Sequence, residues 1–187
     1  LVRIDTGDYA PAANITVSAA DGGSDEAPVT FAGSPYGVTI DRGDLTSGSY
    51  GWVLSNCPYV TLTTATSDAH AAPQRWMRIL GGYHGVYADG YGCTLRRIEA
   101  VSPYYAGFYL ADYTTVENCL GRGATYSYGC GAYLNSGADY SIVRGCTFAG
   151  NAAYGLRLGS GAYVITAEDN VLAASGVGGI ALYQNSS

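Results

Sequence analysis

The sequence predicts an all-β protein, a solenoid of stacked parallel strands forming a single domain over residues 1–187, and three observations carry that reading. A glycine followed by an apolar, a variable and a second apolar residue recurs at Gly51-Trp52-Val53-Leu54, Gly85-Val86-Tyr87-Ala88, Gly107-Phe108-Tyr109-Leu110, Gly131-Ala132-Tyr133-Leu134, Gly155-Leu156-Arg157-Leu158 and Gly179-Ile180-Ala181-Leu182. The steps between these glycines are 34, 22, 24, 24 and 24 residues. A second strand-like segment precedes the later copies, at 94–98, 115–119, 142–146 and 165–169. No stretch holds a helical period beyond one turn, and a unit of about 24 residues is too short for a crossover helix between parallel strands.

In chain order, residues 1–50 read as irregular lead-in rungs, with short strands at Leu1-Val2-Arg3-Ile4, Val29-Thr30-Phe31 and Val38-Thr39-Ile40. Residues 51–187 read as regular rungs, and the long step of 34 is explained by an inserted loop near residues 64–74. Because side chains alternate along a strand, equivalent positions of successive rungs form columns. The inward columns are Trp52, Val86, Phe108, Ala132, Leu156, Ile180 and Leu54, Ala88, Leu110, Leu134, Leu158, Leu182, which form the core. The outward column is Val53, Tyr87, Tyr109, Tyr133, Arg157, Ala181, a flat aromatic strip ending in a cation. Two readings of Tyr87, Tyr109, Tyr133 and Arg157 stand level: a surface for carbohydrate or assembly, and the ordinary taste of exposed sheets for tyrosine. A second outward column, Arg96, Glu117, Arg144, Glu168, alternates in sign and so avoids repulsion between rungs.

Within 83–183 each unit runs from a strand to Cys119, Cys146 or Asn170, through a short glycine-rich turn, to a Tyr-Gly or similar pair, an apolar-x-Leu strand and Ser-Gly-Ala. This pattern resembles the repeats of the pectate-lyase-like superfamily, and residues 1–50 resemble its lead-in. The resemblance implies a right-handed parallel β-helix (β-solenoid) of about six to seven rungs. It implies little about activity, since lyases, hydrolases, epimerases, adhesins and structural proteins share the architecture. Several enzymatic branches take lysine as base, and this chain has none; the clustered aspartates of galacturonases and the Asp-Pro-His of alginate epimerases are also missing.

The remaining chemistry is sparse. His84, beside the tyrosine column and near Asp89, Arg96 and Arg97, is the candidate catalytic side chain, with corner packing as the competing reading. Asp89, Asp112 and Asp139 sit at successive turns, where aspartates cap backbone groups more often than they gather calcium. His70, in the insert near Asp68, pairs with His84 only if the loop returns to it. Among the five cysteines, Cys119 and Cys146 share a column and read as stacked buried thiols, Cys57 and Cys93 lie at corners where a disulfide could form, and Cys130 is the odd one. Asn14-Ile15-Thr16 and Asn185-Ser186-Ser187 fit the glycosylation pattern. Neither a phosphate-binding loop nor a nucleophile elbow is present, and no metal or cofactor is expected.

The net charge of −6, with nine arginines, no lysine and scattered acids, argues against nucleic acid as partner, and no apolar run approaches the roughly 20 residues of a membrane span. Five cysteines point to an oxidising compartment, hence to an extracellular or cell-surface location. Neither end of the chain carries a polar cap, so its terminal strands are expected to accept a second copy head to tail. The functional expectation is a non-catalytic structural β-solenoid, self-associating as a filament, adhesin or surface element. The alternative is a polysaccharide-active lyase, hydrolase or epimerase, or a carbohydrate-binding β-helix.

Overall fold

A computed structural model describes residues 1–66, 75–136 and 138–183. Most of the insert expected at 64–74, with Asp68 and His70, and the Asn185 tripeptide lie outside the described residues. The chain winds as a right-handed parallel β-helix of seven rungs with three sheets of seven strands each. The first sheet contains Val2–Ile4, Val29–Gly33, Val60–Thr64, Thr94–Arg96, Thr115–Glu117, Ile142–Arg144 and Thr166–Glu168. The second contains Gly7–Tyr9, Val38–Asp41, Met77–Leu80, Ile98–Val101, Leu120–Arg122, Thr147–Ala149 and Val171–Ala173. The third contains Ile15–Val17, Tyr50–Leu54, His84–Ala88, Ala106–Leu110, Cys130–Leu134, Tyr154–Leu158 and Gly178–Leu182. Residues 1–50 thus feed all three sheets, pairing in register with the strands one rung above. Helical structure among the described residues is one 3-10 turn, Ala19–Asp21.

Each of the last four rungs has one strand more than the sequence pattern suggests. The segments expected as single strands at 94–98, 115–119, 142–146 and 165–169 are bent by one left-handed residue, Arg97 (φ 54°), Asn118 (51°), Gly145 (62°) or Asp169 (54°). A single residue with positive φ redirects the chain from the first sheet to the second without interrupting the run of strand-forming residues. Period-two alternation carries no trace of it.

The register confirms the two columns, and they are core except on the last described rung, where Ile180 and Leu182, expected inside, are exposed. Trp52, Val86, Phe108, Ala132, Leu156 and Ile180 stack in order, as do Leu54, Ala88, Leu110, Leu134, Leu158 and Leu182. Through the middle rungs these side chains are fully buried and meet Leu62, Ile79, Leu95, Ile98, Val116, Val143 and Phe148 from the other two sheets. Burying a side chain of this size stabilises by roughly 1.5–3 kcal/mol.

Outside the core, charge ladders tie the rungs together. Glu117, nearly buried, accepts from Arg96 at 2.6 Å and also from Arg144, and Arg144 lies 3.8 Å from Glu168. Burial alone would raise the Glu117 carboxyl, but the hydrogen bonds from Arg144 and Arg96 outweigh it and hold the group below the usual range. A second ladder, not read from the sequence, places Glu99 between Arg78 at 2.9 Å and Arg122 at 2.7 Å.

The corners follow a shared rule. Asn170 accepts from the Cys146 N–H at 2.9 Å and donates to the Val143 carbonyl at 2.8 Å, pinning the rung below. One rung down, the Cys146 thiol does the same work, accepting from the Cys119 N–H and donating to the Val116 carbonyl, each at 3.5 Å. Cys119 in turn reaches the Leu95 carbonyl at 3.6 Å. The stacked cysteines therefore occupy an asparagine position. Asn151 repeats the device at the next corner, with the Ala124 N–H at 3.1 Å and the Gly121 carbonyl at 3.3 Å.

This equivalence is testable. Cys146→Ala removes the thiol without overpacking the corner but strands the Cys119 N–H, and is expected to lower stability by about 1–3 kcal/mol. Cys146→Asn restores both bonds and is expected to retain most of it. Urea midpoints of the two variants decide, and equal stability would sink the corner rule.

Candidate functional site

The third sheet turns a distinctive outer face to solvent, and glycine makes it. A Cβ on Gly85 would lie 2.7 Å from the Gly107 carbonyl oxygen, and one on Gly107 2.6 Å from that of Gly131, so the rungs close together here only without a side chain. The glycine and its successor both face inward. The residue before the glycine and the residue two after it therefore share the outer face, which puts His84 beside Tyr87 and gives two outer columns per strand instead of one.

The columns form an aromatic layer. Tyr50, Tyr87 and Tyr109 stack with centroids 4.9 and 4.6 Å apart and planes within 17°. The in-register spacing of about 4.8 Å between rungs is itself a stacking distance. The tyrosines consequently pack against one another and present edges and hydroxyls, where the sequence suggested a flat strip. Tyr133 breaks the stack, lying at 68° to Tyr109 and 71° to Tyr105. Tyr83 and Tyr105, stacked at 5.6 Å, and Tyr104 and Tyr126, 5.0 Å apart, widen the layer. None of these lateral tyrosines belongs to the repeat unit; the Tyr104-Tyr105 doublet and Tyr126 were the available signal.

Arg157 closes the column. Its guanidinium lies over Tyr183 at 4.5 Å, Tyr133 at 4.9 Å, Tyr105 at 5.6 Å and Tyr128 at 6.0 Å, and it donates to the Tyr105 hydroxyl. Burial pushes the Tyr105 phenol up to about 12 against the opposing pull of Arg157, and burial also raises Tyr109. The Tyr105 and Tyr109 hydroxyls stay protonated at neutral pH. Cys130 lies beneath the rings, fully buried, its thiol pushed up to about 12 by that burial.

His84 sits inside the layer, 4% exposed. It stacks on Tyr50 at 5.4 Å and is flanked by Tyr109 at 4.8 Å, Tyr83 at 4.9 Å and Tyr105 at 5.5 Å, with its Nδ1 buried and unpartnered. Burial lowers its pKa to about 3, a hydrogen bond with Ala106 opposing only slightly. The ring is neutral and shielded at physiological pH.

The other sequence candidates are dispersed. Asp89 accepts from the Asn56 N–H at 2.9 Å, Asp112 from the Asp139 N–H at 3.2 Å, and Asp139 from the Tyr163 N–H at 3.0 Å, so all three cap turns. Among the described residues no group of three or more His, Cys, Asp or Glu side chains could hold a metal ion. All five cysteines are free and buried, so the disulfide envisaged between Cys57 and Cys93 is not formed; Cys93 donates instead to the Cys57 carbonyl at 3.3 Å. Asn14 is engaged as a corner asparagine, accepting from the Tyr50 N–H at 2.9 Å and donating to the Gly48 carbonyl at 3.0 Å. No helix among the described residues is long and apolar enough to cross a membrane.

A family model described as a right handed beta helix region matches residues 74–187. Among solved structures, the crystal structure of pectate lyase Pel9A is similar with a TM-score of 0.74 at 15% sequence identity, over 94% of this chain and 45% of that one. The chain therefore spans less than half the length of that enzyme, and the likeness is one of fold. No curated protein matches the sequence.

The burial of His84 has a measurable consequence. Below its ordinary value of 6.5 the unfolded chain takes up a proton that the folded chain refuses until about 3. Stability contributed by the neutral ring is therefore complete above that ordinary value and falls as pH drops through the window, by at most about 1.4 kcal/mol per pH unit. His84→Phe preserves the packing without the titration and is expected to lose less stability than the parent between neutral and mildly acidic pH. Urea midpoints compared across that range test it; parallel losses would place the imidazole in contact with water.

Proposed function

Because the chain belongs to the right handed beta helix family, we propose that it is a polysaccharide-recognising β-solenoid that acts outside the cell without turnover and uses the outer face of its third sheet. The observation that carries this reading is the aromatic layer in which Tyr87, Tyr109, Tyr133 and Arg157 stand in register across four rungs. Rings held by their neighbours and by a glycine-tightened backbone lose little freedom when a ligand lands on them. Protonated phenols and the Arg157 guanidinium supply hydrogen-bond donors to sugar oxygens, and the ring edges and the rotated Tyr133 supply apolar contact for sugar C–H groups. His84 serves here as a buried spacer that keeps Tyr50 and Tyr109 in place. The similarity in fold to a pectate lyase supports polysaccharide as the class of partner, and an extracellular location with it; that enzyme's reaction is not carried over.

Depletion of the protein from solution by a panel of neutral and acidic polysaccharides tests the proposal. Tyr109→Ala and Tyr133→Ala are each expected to weaken binding about tenfold, roughly 1.4 kcal/mol, with far-ultraviolet circular dichroism unchanged. Undiminished binding by both variants, or release of cleaved product by the parent, would overturn it.

A structural role with copies joined in series is a second reading, favoured by the last described rung. Ile180 is 53% and Leu182 73% exposed, whereas Leu156 below Ile180 is buried. A further rung, from a longer chain or from a second copy, would cover them. On this reading sedimentation shows concentration-dependent association that Leu182→Lys abolishes; a monomer at every concentration removes it.

A further inference from the structure

A second aromatic ladder runs up a different edge of the solenoid, at the corner that leads into the first sheet. Tyr59, Tyr91, Tyr113, Tyr140 and Tyr163 follow one another on five successive rungs, with ring centroids 5.7, 4.5, 5.0 and 6.3 Å apart. In contrast to the stacked sheet-face tyrosines Tyr50, Tyr87 and Tyr109, Tyr91, Tyr113, Tyr140 and Tyr163 are exposed, at 47%, 39%, 48% and 64%. Their backbone is also unusual. Tyr59, Tyr113 and Tyr140 hold left-handed φ values of 52°, 54° and 52°, a conformation glycine adopts without strain. Tyr113 and Tyr140 thus sit on left-handed turn residues, each beside its neighbour on the next rung and open to solvent.

We infer that this corner is a site of oxidative modification, at which Tyr113 couples to Tyr91 or to Tyr140 as dityrosine and covalently joins successive rungs. The co-reactant is hydrogen peroxide, activated by a haem peroxidase. Each of two phenols gives up one electron and its hydroxyl proton, and the peroxide takes these two hydrogens and is reduced to two waters. The two phenoxyl radicals then form one carbon–carbon bond between ring positions ortho to the oxygens. The ortho hydrogens leave as protons and two protons return to the oxygens, so the product is the protein less two hydrogen atoms. The geometry favours partners within one molecule, since Tyr113 has rings at 4.5 Å on one side and 5.0 Å on the other. Tyr50, Tyr87 and Tyr109 on the sheet face are closely stacked too, but they are half buried and so less open to an enzyme-sized oxidant.

The test is to treat the intact protein, dilute, with peroxidase and limiting hydrogen peroxide, and to isolate the monomer. The expected monomer carries dityrosine fluorescence, is lighter by two hydrogens, and yields a cross-linked peptide pair that tandem mass spectrometry maps to Tyr91–Tyr113 or Tyr113–Tyr140. Tyr113→Phe keeps the ring and the fold but removes both short couplings at once, and is expected to lose most of the monomer-borne fluorescence. Tyr36→Phe, at a tyrosine that is 57% exposed but outside the ladder, is expected to leave it unchanged. Cross-links found only between molecules, or mapped to the sheet face, or undiminished in a folded Tyr113→Phe protein, would overturn the inference.

Discussion

Everything in this molecule depends on the backbone hydrogen bonding between rungs, which holds equivalent residues of successive turns about 4.8 Å apart and in register. Once that spacing is imposed, a side chain's main neighbours are the residues directly above and below it. A leucine column is a dry core, a column of alternating arginine and glutamate is a chain of ion pairs, and a tyrosine column is a stack. A column of like charges or of unpartnered polar groups would repeat the same penalty on every rung. The three sheets show each permitted outcome: apolar columns inside, Arg96–Glu117–Arg144 and Arg78–Glu99–Arg122 outside, and aromatic stacks where neither charge nor core is required.

The same constraint explains the corners, where the sheets end and backbone groups lose their partners. Asparagine solves the problem well, because one amide both accepts from and donates to the neighbouring rung. Asn170, Asn151 and Asn14 all do so. Cysteine is a weaker version of the same device, with a thiol that both donates and accepts. Parallel stacking explains why the Cys119 and Cys146 thiols remain separate. Residues in register on adjacent rungs project their Cβ atoms side by side at nearly the rung spacing, longer than the separation a disulfide prefers. The cysteine count therefore says little about the compartment, and the extracellular location is a proposal that goes with the polysaccharide reading.

Legibility in the sequence followed the same division. The column of glycine and alternating apolar residues was readable from spacing alone, because an inward position must be apolar on every rung. The order of the tyrosine column was readable from the same spacing, since the residue between two inward positions faces out. The third strand of each rung was not, since Arg97, Asn118 and Asp169 turn the chain with a single left-handed residue and residues of ordinary composition. Nor could spacing reveal that His84 lies on the outer face with Tyr87. Strict alternation puts it inside, and only the close approach of Gly85 to Gly107 reverses that assignment. The orientation of the rings was hidden as well: a column of tyrosines reads as a strip until the rung spacing is recognised as a stacking distance.

The two tyrosine ladders show how one residue type acquires different chemistry from its position on the solenoid. On the third sheet the rings lie over a backbone tightened by glycine, enclose a neutral histidine and pack around an arginine, so burial raises the phenols and favours them as fixed hydrogen-bond donors. At the corner the rings stand beyond the sheet on left-handed turns, with solvent on one side and only their own kind above and below. On the proposed reading, a phenol of the first sort contributes to recognition because its neighbours hold it in place. One of the second sort is open to reagents and has a coupling partner at hand for the same reason, since the rung spacing that orders it also brings the next ring within reach. The periodicity that builds the core thus fixes the separation of reactive groups on the surface, and the local backbone decides which of them solvent can reach.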